Sequence, residues 1–435
     1  MRQSDVLIIG GGAAGLTAAI AAARLGASVA LLEAGARVGR KILESGNGRC
    51  NLTNVSVVPE AYNHPEFVEQ LLGTYSSDAI RAFFAGIGLL TRADDEGRVY
   101  PTTNAAASVL EVLRLECDHV GVDVRCEFEV AGVSEAPGGG FTVTSATGET
   151  LHASAVVVAT GGGASVLTGF GHDSVGRVPV LGPIKTDIAP IRGLSGVRVR
   201  CEASLLAGEA AAAGWGAAAG DARDSAPGES PADVGGSRAV LATECGELLF
   251  RDYGVSGIMV FDLSRYLEKD CTLSIDFFPD MSAEDLQTAL SDRCESLSWR
   301  SAGTLLVGML HDRVARAVLR AADIEPSTPA GKVPDSRLAA LLKDFRVSVL
   351  GMADARQAQV TRGGADVAQF DPGTLASRCV SGLFAAGEVL DVDGRSGGFN
   401  LHWAWASGIV AGESAARFAA EHAAEKRVTA PGDPA

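Results

Sequence analysis

The run Gly10-x-Gly12-x-x-Gly15, set directly after a short apolar stretch at 5–9, constrains this chain more than any other feature. Residues 5–9 read as a strand and 10–15 as a tight turn. An Ala-rich helix follows at 16–25, stopped by Gly26, and a second strand at 28–32 ends on Glu33. Each glycine has its own task in such a unit. Gly10 permits the turn out of the strand, Gly12 lets a pyrophosphate approach the backbone, and Gly15 lets the helix lie close on the sheet. Ala13 and Ala14 stand where a helix N-terminus offers free N–H groups to phosphate. Glu33 comes eighteen positions after Gly15, followed by Ala34. A carboxylate there accepts hydrogen bonds from both ribose hydroxyls and repels a 2′-phosphate. The unit predicts an α/β, Rossmann-type domain that holds the ADP half of a dinucleotide.

The remaining 400 or so residues must be organised around that unit, and a chain of 435 residues is long enough for two or three domains. Residues 65–87 and 105–120 read as helical. Three strands in meander order are expected at 122–133, 140–145 and 151–158, with a hairpin-type turn at 138–140. Strands at 197–206 and 239–250 flank an Ala/Gly/Asp/Ser-rich insertion at 208–236, whose composition is that of a flexible segment. Helices are expected at 282–297, 304–322 and 336–344, and a closing helix at 407–420. The organisation predicted is a dinucleotide domain in two parts, 1–180 and 346–425, around an inserted β-rich and helical substrate or cap domain at 181–345.

Composition narrows the function classes. The formal net charge of −16 disfavours sequence-independent contact with a phosphodiester backbone, so no nucleic-acid partner is expected. The eight cysteines show no C-x-x-C pair, which argues against a metal site or a disulfide framework and for reduced thiols. The apolar stretch at 6–23 is broken by Gly10, Gly11, Gly12 and Gly15, is preceded by Asp5 and ends at Arg24. It reads as neither a secretion signal nor a membrane span, and a cytoplasmic protein is expected.

FAD and NAD share the glycine fingerprint, so other residues must choose between them. The strand ending in Ala159-Thr160-Gly161-Gly162 resembles a return segment beside the pyrophosphate in glutathione-reductase-type flavoproteins. The run from Gly39 through Arg40, Lys41, Ser45-Gly46-Asn47-Gly48-Arg49-Cys50-Asn51 to Asn54 resembles the signature of the YhiN/BaiN-like flavoproteins. The likeness continues at Gly246-Glu247-Leu248-Leu249-Phe250, at Thr361-Arg362-Gly363-Gly364, and from Gly382 through Gly387-Glu388 to Gly397-Gly398-Phe399-Asn400-Leu401. It covers the chain in order from Val6 to about Ala416.

That resemblance implies FAD, bound non-covalently in a glutathione-reductase-like domain, with an inserted β-rich domain and a helical subdomain. It implies that Val130 meets the adenine through its backbone and Glu33 the ribose, with Gly387 and Glu388 by the ribityl or pyrophosphate section. Gly398, Asn400 and Leu401 are implied at the flavin, where a helix N-terminus stabilises negative charge. Arg40, Lys41, Asn51, Thr160 and Gly161 complete the implied contacts. Two departures stand out: a short segment at 163–171 before His172, and the insertion at 208–236.

No catalytic residue is fixed by the sequence. Arg49 is a candidate anion anchor near flavin or substrate, or else part of a structural ion pair. His402 is a candidate proton donor, or else a hydrogen-bonded histidine at a helix start. Cys50 has no nearby cysteine and reads as a buried thiol, Trp403 and Trp405 as core. Arg251 and Tyr253 are further candidates to face a flavin from the inserted domain. The expected function is FAD-dependent hydride transfer through flavin N5 to a small organic molecule, with transient NAD(P)H as donor. Reduction of a carbon–carbon double bond is what the resemblance points to. The alternatives are an oxygen-dependent amine oxidase, a flavin-bound module without turnover (a redox sensor or RNA-modification partner), and an NAD-only dehydrogenase.

Overall fold

The computed structural model describes residues 3–208, 238–354 and 357–429; the expected insertion at 208–236 lies, apart from Gly208, outside them. The chain divides into two compact units, one made of 1–179 with 360–435 and the other of 180–359.

The first unit is built on the strand Gln3–Ile9, whose Val6, Leu7 and Ile8 are fully buried. A strand covered on both faces is a continuous apolar run rather than an alternating one, and this is how the sequence reads there. It pairs in parallel with Val29–Leu32 on one side and Thr150–Val158 on the other. Asp123–Arg125 and Leu383–Ala385 extend the parallel sheet at its two ends. The long strand Thr150–Val158 serves twice. Its last residues pair with Leu383–Ala385, while its first pair antiparallel with Phe141–Ser145, which in turn pairs with Val130–Glu135. The expected strand at 122–133 is therefore two strands. Glu127, at φ 56°, breaks the run between the parallel edge and the meander.

The helix Ala13–Arg24 follows the glycine turn and is covered by the closing helix Phe399–Thr429. The two backbones approach because Gly408 and Gly412 have no side chain. A Cβ at Gly408 would lie 2.3 Å from the Ala14 carbonyl oxygen, and one at Gly412 would lie 2.2 Å from that of Ala18. Between them Thr17 donates its hydroxyl toward the Trp405 carbonyl at 3.3 Å. The closing helix starts at Phe399, ahead of the expected 407, directly after Gly397 and Gly398 at φ 107° and 106°. The expected helix at 65–87 is split into Pro65–Thr74 and Ser77–Gly86, because the Ser76 side chain accepts the Ala79 N–H and starts a new helix.

The second unit is a closed antiparallel barrel in the order Ile184–Thr186, Gly254–Ser256, Val240–Phe250, Arg198–Leu206, Thr272–Asp276, Phe345–Met352. The last strand closes it against Ile184–Thr186. Phe345, Val347 and Val349 are buried and alternate with exposed residues, the pattern of a half-buried strand. Residues 346–359, which the sequence reading gave to the returning dinucleotide domain, thus belong to the inserted unit. Arg251 and Tyr253 sit in the turn between two barrel strands. The helices Ala283–Ser296 and Asp335–Lys343 match expectation in outline. The expected helix at 304–322 is broken into Ala302–Leu305 and Asp312–Ala321, with Gly308 at φ 87° in the gap and the His311 ring accepting the Arg313 N–H. No helix of the described residues is long and apolar enough to cross a membrane.

Candidate functional site

The fingerprint glycines divide by what surrounds them. A Cβ at Gly10, which sits at φ 110°, would lie 2.4 Å from the Ala159 carbonyl oxygen, and one at Gly15 would lie 1.8 Å from that of Gly10. Both are required by packing. Gly12, the residue before Ala13–Arg24, has an ordinary φ of −83°, and a Cβ there would meet no atom of the described residues within 4 Å. Space has been left in front of a helix N-terminus whose first N–H groups, those of Ala13, Ala14 and Gly15, have no intrahelical partner. Glu33 reaches back over this turn, its Oε2 accepting the Gly11 N–H at 2.8 Å and its Oε1 the Gly35 N–H at 2.7 Å. Each oxygen keeps a lone pair for a further donor. The Glu33 carbonyl accepts the Phe128 N–H at 2.9 Å, so Val130 lies two residues beyond the corner that Glu33 and the exposed Ala34 form.

A second group gathers on the other side of the glycine turn. Lys41 Nζ lies 2.9 Å from Glu388 Oε2, and Glu388 Oε1 accepts the Thr361 N–H at 2.6 Å. A Cβ at Gly161 would lie 3.7 Å from that carboxylate and 3.8 Å from Lys41 Nζ. The Thr160 hydroxyl turns the other way and donates to the Gly163 carbonyl. Gly387 is held by Ser407, whose Oγ accepts its N–H at 2.9 Å, and by Trp403, whose Nε1 donates to its carbonyl at 3.2 Å. At φ 74° it comes so near Ala14 that a Cβ would lie 2.9 Å from the Ala14 methyl. Arg40 takes no part in this group: it is exposed and faces Glu44 at 3.5 Å.

The third group surrounds the start of the closing helix. Gly46, Asn47, Gly48 and Cys50 all have left-handed backbone, which coils the loop tightly before Asn51. Asn51 is buried, and its Oδ1 has no hydrogen-bond partner among the described residues. A Cβ at Gly398 would lie 2.9 Å from that oxygen and 2.5 Å from the Thr53 carbonyl. An unpaired buried acceptor costs about 1–3 kcal/mol, so Asn51 marks a place where a donor from outside the chain fits. Asn400 behaves differently. Its Oδ1 accepts the Gly394 N–H at 2.8 Å and its Nδ2 donates to the carbonyls of Gly394 at 2.8 Å and Arg395 at 3.2 Å, so it braces the loop. Leu401 is half-buried in the first turn. The Arg49 guanidinium lies 5.1 Å from the centre of the Tyr100 ring and has no carboxylate partner among the described residues. Burial pushes the Cys50 thiol up to about 12, with a weaker opposing pull from Ser45, so it is no thiolate at neutral pH.

His402 is fully buried, with Nε2 2.9 Å from the Tyr75 carbonyl and Nδ1 2.8 Å from the Thr53 hydroxyl. The carbonyl only accepts, so Nε2 carries the proton and Nδ1 accepts from Thr53. Both nitrogens are engaged inside the protein, which leaves none for a substrate; the hydrogen-bonded reading of this residue holds. Trp403 and Trp405 are core side chains, the latter donating Nε1 to the Leu52 carbonyl at 3.0 Å. Sequence reasoning passed over Ser407, Tyr62 and the pair His64–Asp391. Tyr62 donates its hydroxyl to the Phe399 carbonyl at 2.9 Å. Asp391 and Asp393 stood inside the quoted motif, so only their partners 327 to 330 residues away were out of reach.

The family model described as "HI0933-like protein Rossmann domain" matches residues 4–414. The chain belongs to this family. It is 33% identical to a protein of Clostridium scindens named 3-dehydro-bile acid delta(4,6)-reductase, over 94% of this chain and 98% of the relative. It is 30% identical to an Escherichia coli protein named ribosomal RNA dihydrouridine synthase, over 94% of this chain and 96% of that one. A Haemophilus influenzae protein of the same name is 28% identical over 96% of this chain and 99% of its own. The resemblance read from the motifs is borne out, and with it a flavoprotein oxidoreductase with a Rossmann-type domain.

Two outcomes follow from this geometry. Gly12→Ala adds a methyl group where the described residues place no atom within 4 Å. It should leave the denaturant stability of the apoprotein within about 0.5 kcal/mol while flavin retention falls at least tenfold; equal retention contradicts the assignment of that space. Burial, only partly offset by the bond to Tyr75, holds His402 down at about 4. The unfolded chain binds this proton near 6.5 and the folded chain only near 4, so stability is full above 6.5 and falls by about 3 kcal/mol as pH drops to 4. His402→Asn should start less stable and show a flatter profile across that window, and an unchanged slope in urea titrations contradicts the assignment.

Proposed function

We propose that this chain is an FAD-dependent reductase that saturates a carbon–carbon double bond conjugated to a carbonyl in a small organic substrate, with NAD(P)H as donor. The observation that carries the reading is near full-length similarity to a reductase named for such a substrate, joined to a site whose three groups suit the successive parts of FAD. FAD rather than FMN is favoured by the open space at Gly12 and the tethered carboxylate of Glu33, which serve only an ADP half. When bound, FAD supplies a two-electron store that passes hydride at N5.

The chain's own residues have distinct tasks in this reading. The first-turn amides after Gly12 hold the pyrophosphate, Glu33 receives the ribose hydroxyls, and the Val130 backbone borders the adenine. Lys41, Gly161, Gly387 and Glu388 flank the section between phosphate and ring. Asn51, Gly398 and the N-terminus of Phe399–Thr429 take the ring's polar edge, where helix amides favour the negative charge of the reduced state. Arg49, its guanidinium carbon over the Tyr100 ring and without a carboxylate partner among the described residues, is suited to anchor an anionic substrate group.

A second reading takes uridine in ribosomal RNA as the substrate, and the names of two relatives favour it. The chemistry is shared, because dihydrouridine is uridine with a ring double bond saturated beside a carbonyl. The net charge of −16 works against a polyanionic partner. An anaerobic visible spectrum during titration with NADH, then NADPH, tests the main reading. One nucleotide should bleach the flavin, and a 3-oxo-Δ4,6 steroid acid should restore its colour. Restoration by ribosomal RNA and not by the enone favours the second reading; a flavin that neither nucleotide bleaches contradicts the proposed donor.

A further inference from the structure

Segments distant in sequence converge on one carboxylate. Asp391 Oδ2 lies 3.1 Å from His64 Nε2, while its Oδ1 accepts the Gly363 N–H at 3.0 Å and the Asn63 amide at 3.3 Å. Asn63 Oδ1 takes the Asp393 N–H at 2.9 Å, and the Ala61 carbonyl takes the Arg395 N–H at 3.0 Å. Residues 61–64 therefore run along 391–395, the loop that leads through Gly397 and Gly398 into the closing helix.

Burial alone would raise the Asp391 carboxyl. The hydrogen bond and charge of His64, the Gly363 N–H and Arg362 outweigh it and hold the group below the usual carboxylate range. An ionised carboxylate only accepts, so His64 must present Nε2–H to it. Nδ1 is left with no partner among the described residues, on a side chain 36% exposed against 10% for Asp391. Asp391 is the charged partner of His64, and Arg362, whose charge also acts on that carboxylate, has its Nε 3.8 Å from Asp393. A histidine used only to cap a helix has no need of this. His64 precedes Pro65–Thr74, yet its side chain makes no capping bond.

We propose that His64 is the proton donor of the reduction and Asp391 its positioning residue. The inference rests on the reductase reading above. In that reaction the π bond of the alkene breaks and two C–H bonds form. One carbon receives hydride, drawn from the reduced nicotinamide by way of the bound flavin, and its neighbour receives the Nδ1 proton of His64 imidazolium. Solvent water returns that proton, and Asp391 keeps the ring fixed with Nε2 turned away from the substrate.

Half-reactions of the FAD-loaded protein separate this proposal from the reading beneath it. His64→Gln keeps an N–H for Asp391 but carries no titrating proton. Bleaching by the nicotinamide should change less than about twofold. Recolouring by a 3-oxo-Δ4,6 steroid acid should slow by about 10²–10⁴, and added imidazole should restore part of the rate to His64→Gly. In the protein without substrate, ¹⁵N spectra should show Nε2–H on His64 and lose that preference in Asp391→Asn. Wild-type recolouring rates in His64→Gln overturn the donor role, and unchanged ¹⁵N spectra in Asp391→Asn overturn the positioning role. A wild-type protein that the enone does not recolour overturns the reductase reading, and this proposal with it.

Discussion

The contact on which the first unit depends is the crossing of two helices through missing side chains. The helix Ala13–Arg24 carries the N-terminus that faces the space at Gly12, and Phe399–Thr429 carries the N-terminus beside Asn51. Gly408 and Gly412 let the second lie directly on the backbone of Ala14 and Ala18. A methyl group at either position would intrude to 2.3 Å or less, and overpacking of this kind costs about 1–3 kcal/mol or more. The same contact fixes the spacing between two amide-rich helix starts, one suited to phosphate and the other to the charged edge of a reduced ring. Trp403 and Ser407 on that helix hold Gly387 from both sides, so the crossing also places the neighbouring Glu388.

Around this frame the candidate cofactor-binding side chains are tethered rather than free. Glu33 is held by two backbone amides, Glu388 by Lys41 and Thr361, and Asn400 by the loop it braces. The Lys41–Glu388 pair is largely exposed on the lysine side, where such a bridge is worth about 0–1 kcal/mol. Its value is geometric. Asn51 is the exception among the candidate residues, because its buried carbonyl oxygen has no hydrogen-bond partner among the described residues. A protein interior tolerates such an atom where a ligand completes it.

The legible parts of the structure were those coded by neighbours in sequence. The strand–turn–helix–strand at the N-terminus was readable because Gly10, Gly12 and Gly15 sit at fixed offsets from an apolar run. The meander was readable because Gly138–Gly140 punctuates alternating residues. The helix break at Ser76 and the split at Glu127 were not, since a single cap and a single left-handed residue change little in composition. Phe345–Met352 alternates like any half-buried strand, and only its pairing with Thr272–Asp276 on one side and Ile184–Thr186 on the other assigns it to the barrel. His64 was missed for the same reason: its partner Asp391 lies 327 residues away, and nothing local to either residue announces the other. His402 was legible as an ambiguity, which its two engaged nitrogens resolve.

On the reading proposed above, the first unit holds a flavin through an ADP half. The direct measurement is to incubate purified protein with an equimolar mixture of FAD and FMN, wash it exhaustively, release the bound flavin and identify it by chromatography and mass. FAD is expected in near-stoichiometric amount, reduced sharply in a Gly12→Ala protein that folds normally. Retention of FMN in place of FAD, or of no flavin at all, would contradict it.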